Sequence, residues 1–130
     1  MTGKITVGTI QDTDGNTVTS TYVTNGVAKA WVKYNQVTPG IDNSLNVSSV
    51  ADTATAVYTI TYASNWANIN YISVTGGSIN GSDGAGGSAF GPRHQTPTTS
   101  SLTIVSTYGQ QGNSALDWGS NETSHNGDLA

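Results

Sequence analysis

The sequence predicts an all-β protein: an antiparallel β-sandwich-like domain with a glycine-rich loop and an extended C-terminal tail. Three observations carry that prediction. Apolar and polar residues alternate with period two in several short runs, and no stretch shows the i, i+3, i+4 spacing of a long amphipathic helix. Val, Ile, Thr and Tyr, the residues that suit a pleated surface, are plentiful. Turn residues punctuate the runs, at Asn25-Gly26, Pro39-Gly40, Asp52 and Ser64-Asn65.

Taken in order, "KITVGTI" (4–10) and "NTVTSTYV" (16–23) flank the turn signal "QDTDG" and predict a hairpin. Residues 28–34 follow, with Ala28, Ala30, Val32 and Tyr34 on one face and Lys29, Trp31 and Lys33 on the other. "NVSSV" (46–50) is a weaker strand. "AVYTITY" (56–62) sets Tyr58, Ile60 and Tyr62 in phase, which predicts that these side chains form core. "INYISV" (69–74) and "SLTIVSTY" (101–108) complete the set.

Two stretches break the pattern. Residues 76–91 hold seven of the sixteen glycines, which fits either a flexible loop or backbones in close contact. Residues 109–130 are polar and lack apolar alternation, so the chain divides into one β domain, 1–108, and an extended polar tail, 109–130. Trp118 in that tail is a candidate anchor across a subunit interface, because aromatics are enriched in interface cores.

Composition excludes several classes of function. A net charge of −4 with only four Lys or Arg lacks the basic footprint of a nucleic-acid binder. No apolar run is long enough for a membrane-spanning helix, and Met1 is not followed by a basic-then-apolar segment, so secretory export is not expected. Cysteine is absent, so stability is expected from packing, metal or association with other chains. Ser, Thr and Asn together supply 47 of 130 residues, yet the modest charge and the many β-branched residues argue against disorder.

The residues of catalysis are sparse. One glutamate (Glu122), seven aspartates and two histidines (His94 and His125) form no sequence cluster suited to acid–base work. No G-x-S-x-G occurs, and a phosphate-binding loop is ruled out because no lysine follows Lys33. Asp12 and Asp14 in "DTDG" resemble the start of a calcium loop without its later oxygen ligands, and a plain Asp-Gly turn is the simpler reading. The Asn-x-Ser/Thr triplets at Asn46, Asn80 and Asn121 are what such a composition produces by chance. We therefore expect no enzyme and no cofactor. Three tryptophans and six tyrosines among many Asn, Asp and Ser leave surface recognition, including sugar stacking, as the alternative.

Residues 26–62 can be read together. "GVAKAWVKYN" followed by "LNVSSVADTATAVYTITYA" resembles a module recurrent in tail-fibre and related virion proteins of bacteriophages, which typically reads A-K-A-W-V-N-F-N, then S-x-N-V-S-S-I-x-D, then Y-T-V-x-F. Ala28 to Asn35 match with Lys33 for Asn and Tyr34 for Phe; Ser44 to Asp52 and Tyr58-Thr59-Ile60 follow, and "NWANINYISV" resembles the next segment. The likeness spans residues 16–75, a little under half of the chain, and carries no catalytic residue.

The resemblance implies a structural protein of a bacteriophage virion, a tail fibre or knob component assembled in the host cytoplasm as a homotrimer beside other virion proteins. A capsid decoration protein is the alternative, expected to drape its long termini over other chains; a carbohydrate-binding module is a third. The candidate subunit interface is Lys29, Trp31, Lys33 and Trp118. The candidate host-facing loop, for a surface glycan or receptor, contains Asn80, Asp83, Phe90, Arg93 and His94. The lysines beside Trp31 would pack against a neighbour or protect an edge strand from mispairing.

Overall fold

A computed structural model describes residues 7–20, 23, 26–78, 93–108 and 114–130. Two four-stranded antiparallel sheets share one core. Sheet I runs in the order β4 (Gly40–Leu45), β3 (Ala30–Asn35), β12 (Ser120–Asn126), β7 (Ile72–Ser78). Sheet II runs β5 (Val47–Ala54), β6 (Val57–Tyr62), β9 (Ser101–Val105), β8 (Arg93–Pro97). Two small hairpins stand apart from the sheets: β1 (Thr9–Gln11) with β2 (Thr17–Thr19), and β10 (Thr107–Tyr108) with β11 (Ser114–Ala115). The all-β sandwich expected from the sequence is what forms.

Period-two alternation decides the core. Ala30, Val32 and Tyr34 face inward from sheet I, and Tyr58, Ile60, Tyr62, Leu102 and Ile104 meet them from sheet II, all buried. Tyr58, Ile60 and Tyr62 are core as predicted, and the Tyr34 and Tyr58 rings lie 5.4 Å apart. Burial, above all, pushes the hydroxyls of Tyr58 and Tyr62 well above the ordinary value of 10.0. In the unfolded chain these phenols ionise near that value, so the unfolded state sheds protons first. The stability they contribute is complete below about pH 10 and falls as the pH rises beyond it. Alkaline titration should therefore show the tyrosinate absorbance of these two rings appearing together with unfolding, and Tyr58→Phe should move the transition to higher pH.

Several predicted boundaries shift. The turn expected at Asp52 is absent, because β5 runs through it to Ala54. The reversal comes at Ala56, whose φ of 65° is costly for a residue with a Cβ. The Asp117 carboxylate holds that turn by accepting the Ala56 N–H at 2.6 Å. Asn46, also left-handed at φ 53°, carries the chain from sheet I to sheet II and accepts the Ser64 N–H at 2.7 Å. The predicted strand 16–23 stops at Thr19, and Ser20, Val23 and Gly26 take helical backbone geometry instead. Gly76 and Gly77, assigned to the glycine-rich loop, belong to β7, while 79–92 lie outside the described residues.

The largest correction concerns the tail. Residues 114–130 are not an extension from a domain ending at 108. β12 is a central strand, paired with β3 on one side and β7 on the other. Its inward side chains are Asn121, Thr123 and His125, all buried among polar partners. Asn121 Nδ2 donates to the Trp118 carbonyl at 3.1 Å, and Ser106 Oγ donates to Asn121 Oδ1 at 3.0 Å. His125 Nε2 lies 3.1 Å from Thr123 Oγ1, with the ring edge-on to Tyr62. A buried polar group is tolerable only when hydrogen-bonded, and this strand meets that condition along most of its length.

Candidate functional site

The alternation that fills the core also builds an outer face. On β3, Trp31 and Lys33 point away from the interior. Register then sets two rows across sheet I. One row reads Leu45, Trp31, Ser124, Val74; the next reads Asn43, Lys33, Glu122, Gly76. Ile72 and Asn126 continue the face beyond Val74 and Ser124. Ser124 and Gly76 are small, so Trp31 and Val74 wall a groove of about 400 Å³ that Lys33 and Glu122 complete.

The face is apolar at its walls and open to solvent. Val74 is 64% exposed, Ile72 67% and Leu45 48%, whereas Trp31 is half-buried. Lys33 pairs with Asp42 at 3.8 Å, a contact between two half-exposed groups that contributes little. Lys29 is partly buried at the neighbouring edge of the face, and its ammonium donates to the Gly127 carbonyl at 3.2 Å. Glu122 accepts from Ser120 Oγ at 3.4 Å. A surface of this kind holds a ligand or a partner by stacking and apolar contact. His125 turns into the core on the opposite side of the sheet.

The expected interface residues therefore separate. Trp31 and Lys33 line the groove, whereas Lys29 lies outside its lining with its ammonium on the Gly127 carbonyl. Trp118 does not join them: it is 1% exposed and packs inside its own chain over Gly77, which corrects its assignment as an intermolecular anchor. Edge protection by the lysines is also excluded, because β3 is an interior strand. Arg93 and His94 begin β8, paired with β9, rather than lying in a host-facing loop. Asn80, Asp83 and Phe90 lie outside the described residues.

Asp12 closes the hairpin turn. Its carboxylate accepts the N–H of Asp14 and of Asn16, each at 2.9 Å, and a further bond from the Asn16 amide. Those bonds, led by the Asn16 side chain, hold the Asp12 carboxyl below the usual carboxylate range. The turn reading fits this arrangement without a cation. Among the described residues no three His, Cys, Asp or Glu side chains gather as metal ligands.

Sequence reasoning reached Trp31 and its lysines and missed the rest of the face. Ile72 and Val74 were placed on a strand but not on an exposed side, and Glu122 and Ser124 were hidden in the polar tail. The one available signal was the alternation Asn121, Thr123, His125 against Glu122 and Ser124, which carries no apolar contrast.

No family model, no curated protein and no solved structure matches this chain.

The three tryptophans differ enough to be told apart in solution. Trp66 and Trp118 are each 1% exposed, leaving Trp31 as the one accessible indole. Acrylamide should quench a single component of the fluorescence, and Trp31→Phe should remove that component while leaving the fold unchanged.

Proposed function

We propose that this chain is a structural component of a bacteriophage virion, of a tail fibre or knob, acting through surface contact within a homo-oligomer and contributing to host attachment. The observation that carries the reading is the outer face of sheet I: Trp31, Leu45, Val74 and Ile72 present an apolar surface that none of the described residues covers. Exposed contiguous apolar surface marks interaction sites. The residues that resemble the virion module build two hairpins, β3–β4 and β5–β6, one in each sheet, so the module would serve as the scaffold of the sandwich.

A capsid decoration protein that drapes its C-terminal segment over neighbours suits this chain less well, because that segment supplies the centre of sheet I. A carbohydrate-binding reading draws on one specific feature, the Trp31 ring beside Glu122, Lys33 and Ser124 in a groove. Aromatic stacking with flanking hydrogen-bonding groups suits a sugar.

The test is antibody against the purified chain, applied with gold label to particles from the strain that encodes it. Label at tail tips is the expected result. Label spread over capsids would move the decoration reading ahead, and unlabelled particles would overturn the virion reading. Titration of host polysaccharide against Trp31 fluorescence separates the sugar-binding reading.

A further inference from the structure

We infer that the outer face of sheet I receives the β1–β2 hairpin of a second copy of this chain. The hairpin is the first half of the argument. Every residue of both its strands is exposed, and neither strand pairs with a sheet. A two-stranded hairpin alone in water is marginally stable at best. This one carries an apolar cross-strand pair, Ile10 opposite Val18, on one face, with Thr9 opposite Thr19 on the other. Ile10 is 44% exposed and Val18 37%, so the described residues leave much of this apolar face open.

The second half is the groove between Trp31 and Val74, which the described residues leave open. The two surfaces also correspond in spacing. Asp12 follows Ile10 by two residues, and Lys29 and Lys33 each stand two residues from Trp31. Two residues of strand span about 7 Å on both partners. With Ile10 and Val18 seated between Trp31 and Val74, the turn carrying Asp12 and Asp14 falls beside a lysine. The hairpin segment, residues 7–20, holds two carboxylates and no basic group. The receiving face presents Lys29 and Lys33 together with Asp42 and Glu122. Either ammonium would meet the turn as an added partner, since Lys33 lies against Asp42 and Lys29 donates to the Gly127 carbonyl.

A hairpin of one copy on the sheet of the next is a heterologous contact, which closes into a ring when its rotation permits. The inference rests on the self-assembly part of the proposed function and supplies the surface for it. It also gives the alternating Lys29, Trp31, Lys33 a use: an apolar seat with a charged rim.

Absence of cysteine makes the test direct. Full-length Ile10→Cys and Val74→Cys chains, mixed and oxidised, should form a cross-linked heterodimer. Thr9→Cys, on the opposite face of the hairpin, should not cross-link with Val74→Cys. Ile10→Asp and Val74→Asp should each reduce the light-scattering mass to that of one chain with the circular dichroism unchanged. Equal cross-linking from Thr9 and Ile10 would overturn the inference. So would an Ile10→Cys, Val74→Cys double variant that closes on itself at monomer mass, or an oligomer indifferent to both aspartates. If the parent chain remains monomeric while gold label decorates particles, this contact is wrong and the virion reading stands.

Discussion

Trp118→Ala is expected to destabilise the fold by ~3–5 kcal/mol, the range for deleting a buried large aromatic. The indole is 1% exposed. Its own backbone is fixed, since the Trp118 carbonyl accepts from Gln36 N at 3.0 Å and from Asn121 Nδ2 at 3.1 Å. Losing the ring leaves a cavity beside a buried polar cluster of Gln36, Ser106 and Asn121, where an entering water would loosen the bonds that hold β12. Denaturant unfolding of the variant at matched concentration measures the loss. The comparison that matters is with assembly: an intermolecular anchor would show a weakened oligomer and an intact monomer. An unchanged midpoint with a lowered oligomer mass would reinstate Trp118 as an interface residue.

Gly77→Ala should damage the same region from the other side. A Cβ at Gly77 would run into the Ser120 carbonyl oxygen, at an impossible separation, and would stand 2.8 Å from Trp118 Cε3. The first obstacle is backbone in a paired neighbouring strand, so no side-chain rotation relieves it. Overpacking typically costs ~1–3 kcal/mol, and a backbone clash belongs at or above the upper end. The expected outcome is separation of β7 from β12 at that end, read as loss of amide protection across the 77/121 pair. Gly127→Ala should be milder, because its closest contacts, the Tyr71 Cβ at 2.8 Å and Cα at 3.1 Å, are less severe than the Ser120 oxygen at Gly77. Gly76→Ala is the control: nothing lies within 4 Å of a Cβ there.

Sheet I is less legible in the sequence than sheet II. β6 and β9 announce themselves, because their inward residues are Tyr, Ile and Leu and their outward residues Thr and Ser. Hydrophobic contrast is a sequence signal, and there it was strong. β12 buries Asn, Thr and His and exposes Glu and Ser, so both faces are polar in sequence although only one is polar in environment. Its burial depends on partners from distant segments: Ser106 for Asn121, Tyr62 and Tyr71 for His125. Such satisfaction is a property of the folded neighbourhood, invisible in a local window. β4 was missed for the opposite reason, as an edge strand whose residues are nearly all exposed and which "GIDNSL" disguises as a loop. The site was half legible: Trp31 and its lysines stood out by alternation, while Val74, Ile72 and Leu45 joined them through register alone.

The order of strands in sheet I bears on how the chain is made. β5, β6, β8 and β9 all precede residue 106, so sheet II can assemble before the remainder has left the ribosome. Sheet I cannot, because β12 lies between β3 and β7 and follows both in the chain. Until it arrives, β3 and β7 each present an unpaired backbone edge, the kind that invites mispairing with other nascent chains. Closure then requires a contact spanning about ninety residues between Ala30 and His125, and non-local pairing of that kind is slow to form. Synthesis interrupted before residue 120 would thus yield one finished sheet bearing an exposed hydrophobic face, a species for proteolysis rather than assembly. Sheet I thus closes only when β12 enters between β3 and β7.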